Sequence, residues 1–358
     1  MKSFVPRKRR LQTPEQRAQG VHGRAPKNPD PAACLYVVLD LSCVAIDFGI
    51  IEYIVLGTHE AIERGLDQVH FVFVPAANDS FRIHGTPDLI PDEWRIQNIL
   101  MQTPWLSPLC VGMTWCNTRE QADKLLKSLG GPIFPDKYDI RDGDQGYVSA
   151  DASRRIIHDC GEDDFRHVQA TASSKHYVQR WMDRYVGDRL AVTISLREGN
   201  RDDVRNSHTG EWVEFAKSLD PAIYCPIFIR DTETLFGGAP TGNRANNGGD
   251  GIDDFLSFPE ASLNMHARCA LYELSYVNLS VNLGPGAMCI YNKTARYLMF
   301  RFSVEGAYSS SEDYLNWIGL APGKSFPYGG PTQKIVWEED NFDIIKREFD
   351  QLVAYLSA

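Results

Sequence analysis

Leu35-Tyr-Val-Val-Leu39, closed by Asp40, is the stretch on which the fold turns. A run of five apolar residues rich in β-branching marks a strand buried on both faces of a parallel sheet, because a half-exposed strand alternates instead. Behind it, apolar residues recur at helical spacing over 46–64 (Ile46, Ile50, Ile54, Val55, Ala61 and Ile62), and Gly65 follows as a stop. Val69-His-Phe-Val-Phe-Val74 is a second strand, closed by Pro75. Strand, helix and strand within about forty residues predict a βαβ unit with a right-handed crossover, the opening of a doubly wound α/β layer.

Downstream the pattern is harder to read as far as Asp144, where prolines are frequent. Helical spacing over 94–101 and 119–129 predicts helices joined by ordered loops there. A polar helix over 175–185 leads through Gly187-Asp188 to Leu190-Ala-Val-Thr-Ile-Ser-Leu196, a second buried strand. The alternation then repeats, with helix 212–219, strand 222–229, helix 261–274, strand 278–282, the turn Gly284-Pro-Gly286, a short helix near Met288 and strand 297–302. Between them the Gly/Asn-rich stretch 237–251 is too long for a plain connector and is expected to be a lid or an insertion. An amphipathic helix over 343–356 closes the chain and is expected to pack across both units. The implied architecture is two Rossmann-like, doubly wound α/β domains facing a cleft: 33–187, then 188–340, followed by the helical segment 341–358.

At 358 residues the chain can hold two cores of ordinary size, about 150 residues each. Its formal charge is −10, which sets the body against nucleic acid and anionic membrane. Residues 1–32 are the exception. They carry Lys2, Arg7, Lys8, Arg9, Arg10, Arg17, Arg24 and Lys27 against Glu15 and Asp30, with five prolines and no apolar period. Such a segment is expected to be disordered, either plainly solvated or an electrostatic tether to an anionic membrane surface. No stretch reads as a secretory signal, and 46–56 is too short and too charged for a membrane span, so the reading places the protein in the cytoplasm, with the tail as its peripheral membrane contact. The eight cysteines show no zinc or disulfide spacing.

In parallel α/β layers ligands sit beyond the carboxyl ends of the strands. In the second half those positions hold Arg197, Glu198, Arg201, Arg205 and Asn206 after one strand, Asp231 and Glu233 after the next, and Asn282, Gly284, Pro285 and Gly286 after a third. Three arginines in one strand-end loop suit a diphosphate, since guanidinium offers paired donors at any physiological pH. Glu198, Asp202 and Asp203 could instead neutralise them locally. The Gly-Pro-Gly turn would let backbone N–H groups approach a phosphate, or is simply a tight turn. In the first half Asp40 ends its strand and Asp47 opens the following helix. Either could take a proton across the cleft, with Asp40 preferred because first-turn charge alone accounts for Asp47. Asp142-Gly-Asp144 and Asp250/Asp253/Asp254 lack the context of metal loops, no histidine pair has metal spacing, and Ser195 has no nucleophile elbow.

On Val192-Thr-Ile-Ser-Leu-Arg197, Ile227-Phe-Ile-Arg-Asp231 and Asn282-Leu-Gly-Pro285, the stretch 190–302 resembles the nucleotide-sugar-binding domain of GT-B-fold glycosyltransferases, the heptosyltransferase-like kind in particular. The resemblance implies a two-domain GT-B fold and metal-independent transfer from a nucleotide-sugar donor to a glycan or lipid-linked acceptor, without a cofactor. It implies that Gly284 to Gly286 with Arg197 or Arg205 hold the donor pyrophosphate, and that Asp231 or Glu233 line the nucleoside pocket. Asn282-Leu283 departs from the Asp/Ser pair those enzymes often carry before Gly-Pro. Two other functions fit the same architecture, a nucleotide-sugar epimerase or hydrolase and a non-catalytic anion-binding scaffold.

Overall fold

The computed structural model describes residues 33–76, 90–141, 149–159, 164–199, 202–235 and 251–358. The basic tail, Arg201, the Asp142/Asp144 pair and 237–250 of the Gly/Asn-rich stretch lie outside them.

The first sheet takes the order β3-β2-β1-β4 with every pairing parallel. β1 (Cys34–Asp40) is buried along its whole length, as its unbroken apolar run requires. Helix α1 (Ile50–Glu63) follows. Its start lies later than the apolar spacing suggests because Asp47 Oδ1 accepts the Gly49 N–H at 2.8 Å, bending 47–49 into a turn ahead of the helix. Gly65, at φ +68°, ends it, and Leu66 N–H reaches back to the Ala61 carbonyl. β2 (Gln68–Val74) completes the βαβ unit.

The prediction of helices and loops from 87 to 144 is corrected by two strands. β3 (Cys110–Trp115) pairs with β2, and the two-residue β4 (Ile133–Phe134) with β1. Every residue of β3 is half-buried, so this edge strand has no continuous apolar run to announce it. Helix α2 (Arg119–Ser128) lies between them. After α3 (Ser149–Arg154), α4 (Ala172–Tyr185) leads into the second sheet.

That sheet has the order β10-β9-β8-β5-β6-β7, again all parallel. Its elements are β5 (Leu190–Ser195), α5 (Thr209–Ser218), β6 (Tyr224–Ile229), the two-residue β7 (Leu256–Ser257), α6 (Met265–Leu274), β8 (Val277–Val281), α7 (Ala287–Ile290), β9 (Tyr297–Phe300), α8 (Glu312–Trp317), β10 (Gln333–Ile335) and α9 (Phe342–Ser357). Asn264 caps α6 by accepting from Ala267 N–H, which splits the helix expected over 261–274.

One apolar cluster runs from β1 and α1 into α6, α7 and the β9 face, so the two units share a core. A second cluster covers the other face of the second sheet. It holds Ile345, Phe349 and Leu352 of α9 together with Trp212 and Phe215 of α5. The terminal helix therefore packs into the second unit, where the sequence reading expected it to span both. Among the described residues no helix is long and apolar enough to cross a membrane.

Candidate functional site

The carboxyl ends of β5 and β6 and the turn after β8 open onto a cavity of about 320 Å³, closed from the first unit by Asp47, Phe48 and Trp94. Of the residues singled out after the strands, Arg197, Arg205, Asp231, Glu233, Gly284 and Pro285 line it. The loop after β5 is braced from outside. Arg301 donates to the Val204 and Asn206 carbonyls, and Asn206 donates to the Gly199 carbonyl at 2.8 Å. Asn206 thus fixes the loop and does not line the cavity. Held this way, Arg205 donates to Ser309 Oγ and to the Asn282 carbonyl, both at 3.1 Å, bridging to the turn after β8.

Glu198 takes a bidentate pair from Arg230, at 2.7 and 2.8 Å, and also accepts from Thr234, so this carboxylate anchors β6. Asp231 accepts the N–H groups of Glu198 and Glu233 and keeps the two strand ends in register. Asn282 donates its amide to the Phe302 carbonyl at 3.0 Å and faces a neighbouring cavity.

Arg268 lines the first cavity and was not legible in the sequence, where it sits inside a helical stretch. On α6 it is only 4 % exposed. Its Nε donates to Tyr272 OH at 2.9 Å, which in turn meets Ser195 Oγ. Among the described residues no carboxylate pairs with it. Its guanidinium lies over the Tyr272 ring, 5.8 Å from the centroid, and it shares the cavity wall with Asp47, Asp231 and Glu233 without an ion pair to them.

The Gly-Pro-Gly turn has the tight-turn geometry that is one of its two readings. It forms a short 3-10 turn ahead of the four-residue α7, too little helix for a dipole to hold a phosphate. A Cβ on Gly284 would stand 3.0 Å from Phe48 Cδ2 and 3.1 Å from its Cβ, so glycine here lets the two units close. A Cβ on Gly286 would meet only the tip of Met299, at 2.7 Å. Gly284→Ala is therefore expected to lower unfolding stability by about 1–3 kcal/mol, while Gly286→Ala costs less because a methionine end can swing away. Denaturant unfolding of the two variants decides this, and equal losses would remove the Phe48 argument.

Of the two base candidates, Asp40 lies away from both cavities. It is 4 % exposed and lines neither cavity. Its Oδ1 accepts from Ser42 N–H and Arg119 Nη1, its Oδ2 from Arg119 Nη2 and Tyr138 OH, at 2.5 to 3.0 Å. A carboxylate with four such donors is a structural anchor. Asp47 stands on the wall between the first cavity and a second one of about 310 Å³, lining both together with Phe48, Arg205, Gly284 and Ser309. The second cavity also holds Glu52 of α1, whose carboxyl accepts from Ser153 at 2.7 Å and Tyr291 at 3.3 Å. Burial, helped by the nearby Asp47 charge, pushes Glu52 up to about 7. Glu52 too escaped the sequence reading, as one polar residue in an apolar helix.

Among the described residues one group has metal-ligating spacing: His208, Glu339 and Asp340. It lines neither cavity, and the Arg301 guanidinium already lies 3.1 Å from Glu339 and 3.7 Å from Asp340. Asp340 also accepts from His208 N–H and Trp212 Nε1, tying α5 to the segment before α9.

No family model and no curated sequence matches the chain. Among solved structures it is similar to the glycosyl transferase family 9 protein of Veillonella parvula, at 7 % identity and a TM-score of 0.51 over 92 % of this chain and 100 % of that one. It is also similar to ADP-heptose LPS heptosyltransferase II of E. coli, at 9 % identity and a TM-score of 0.48 over 91 % and 99 %. Two parallel sheets meeting at one cleft, matched over the full length of the family 9 structure, give this chain a GT-B-like fold.

Proposed function

We propose that the protein is a glycosyltransferase that moves a sugar from a nucleoside-diphosphate donor in the first cavity to an acceptor hydroxyl in the second. The observation that carries this reading is Asp47 on the wall common to both. Each cavity is at the small end of ligand-pocket sizes, about 300–1,000 Å³, which suits one reactant apiece. In the transfer the acceptor oxygen bonds to the anomeric carbon as that carbon's bond to the diphosphate oxygen breaks. The hydroxyl proton passes to Asp47, and the leaving diphosphate keeps the electron pair. Arg197, Arg205 and Arg268 meet the charge that develops on the leaving group, the part a divalent ion plays elsewhere, so the reaction is proposed to run without metal.

Thermal unfolding against nucleoside diphosphates and nucleotide sugars, with and without Mn²⁺, tests the reading. A ligand that binds only the native state stabilises it by RT ln(1 + [L]/Kd), about 2.7 kcal/mol at a hundredfold excess over Kd. A metal-independent upward shift, lost in Arg205→Ala, is expected. A shift that needs Mn²⁺ overturns metal independence, and no shift overturns the donor site. Donor turnover without any acceptor would favour a hydrolase or epimerase, and binding without turnover a scaffold.

A further inference from the structure

The two cavities differ in chemistry. The first is walled by arginines and carboxylates. The second is floored by Phe302, Phe326, Tyr291 and Leu320, with Glu52, Ser153 and Tyr314 as polar points. From its mouth a row of rings leads outward. Tyr314 has Tyr308 at 5.5 Å on one side and Trp317 at 6.2 Å on the other, centroid to centroid. Tyr308 is 80 % exposed and Trp317 44 %. The Arg154 guanidinium lies over the Trp317 ring at 5.6 Å, so Tyr308 is the most open ring of the row.

We infer that the second cavity is the acceptor subsite and takes a neutral pyranose, with Glu52 hydrogen-bonding a ring hydroxyl and the Tyr308–Tyr314–Trp317 row carrying the saccharide that continues outward. This rests on the glycosyltransferase reading. A pyranose has equatorial hydroxyls around an apolar C–H face, and polarised C–H groups are drawn to the negative face of an aromatic ring. A cavity with an apolar floor and few polar points matches that mixture, and a chain of sugars explains why the ring row continues into solvent.

Asp47 lines the cavity, so a phosphate or carboxylate on the entering ring meets like charge there, while Arg205 on the same wall is already engaged with Ser309 and the Asn282 carbonyl. The groups around Glu52 are Asp47 ahead of α1, Ser153 of α3, Tyr291 of α7, and Tyr314 and Tyr328. Arg205 lines the same cavity beside Asn282 and Ser309, to which it hydrogen-bonds. A neutral Glu52 carboxyl both donates to and accepts from a sugar hydroxyl. A ring seated on it would finish removing it from water and so favours the protonated form. Affinity is therefore highest below Glu52's raised range and falls as the pH climbs through it.

The test is binding of p-nitrophenyl β-D-glucopyranoside, its galacto and manno counterparts, and p-nitrophenyl β-D-glucuronide to the full chain by saturation-transfer NMR. Nucleoside diphosphate binding is measured alongside. At least one neutral glycoside is expected to bind, about tenfold more weakly at pH 8 than at pH 6. Glu52→Gln, a neutral isostere, is expected to remove that pH dependence while keeping affinity. Tyr314→Ala should weaken binding, and Tyr308→Ala, at a position 80 % exposed, should weaken a β-linked disaccharide glycoside more than the monosaccharide. If the diphosphate binds but no neutral glycoside does, or the glucuronide binds as well as its neutral partner, or Glu52→Gln keeps the pH dependence, the acceptor inference is overturned and the transfer reading stands. Glycoside binding without diphosphate binding keeps the saccharide site and overturns transfer. Binding of neither overturns both.

Discussion

Asp47→Asn is expected to lower sugar transfer by about 10²- to 10⁴-fold, the usual contribution of a positioned general base, while nucleoside diphosphate affinity holds or rises, because a negative charge leaves the wall of the first cavity. Asparagine keeps the size of the side chain and an oxygen that can accept the Gly49 N–H, so the turn ahead of α1 persists. What it loses is the capacity to take a proton on the wall shared by the two cavities. Asp40→Asn should behave in the opposite way. Turnover per folded molecule is kept, but stability falls by roughly 3 kcal/mol because Arg119 loses the charge it pairs with at 3.0 Å. Nucleoside diphosphate release and denaturant unfolding, measured on both variants, separate the two. Native turnover in Asp47→Asn, or a large rate loss in a fully folded Asp40→Asn, would remove Asp47 as the base.

That contrast also marks how far the sequence could be read. The βαβ opening was legible because β1 is buried on both faces and announces itself by composition alone. Edge strands β3 and β10 were not, since half-exposed or three-residue strands carry too few apolar positions to form a pattern. The strand-end rule pointed to Arg197, Arg205, Asp231 and Glu233, which line the first cavity. It preferred Asp40 to Asp47, whereas of the two only Asp47 lines the cavities. The residues that tie Asp40 down, Arg119 and Tyr138, lie 79 and 98 positions away, and only folding brings them to it. Gly284 was legible as a turn, but the reason for its missing side chain is Phe48, from the other unit. Arg268 and Glu52 are polar residues inside largely buried helical stretches, and nothing in their local pattern says that they face a cavity.

Arg268→Met is expected to weaken nucleoside diphosphate binding by about ten- to a hundredfold, the equivalent of one charge-assisted hydrogen bond of about 1.5–3 kcal/mol. At the same time it should leave the unliganded protein as stable as before, or more so. The two effects have one cause. Arg268 holds a positive charge at 4 % exposure, with the Tyr272 hydroxyl as its hydrogen-bond partner, the Tyr272 ring 5.8 Å from the guanidinium and no carboxylate in ion-pair contact among the described residues. Desolvating that charge opposes folding. Methionine, similar in length and apolar, removes the penalty and still fills the space above α6. Only a bound anion makes the charge favourable, so the arginine acts in the complex and opposes the empty state, as expected of a residue kept for its ligand. Titration calorimetry with a nucleoside diphosphate and chemical unfolding of the unliganded variant measure the two sides independently. Unchanged diphosphate affinity would show that the anion does not reach α6. A loss of stability without ligand would show instead that the Arg268–Tyr272–Ser195 chain is part of the core, with the guanidinium held for packing and not for the donor.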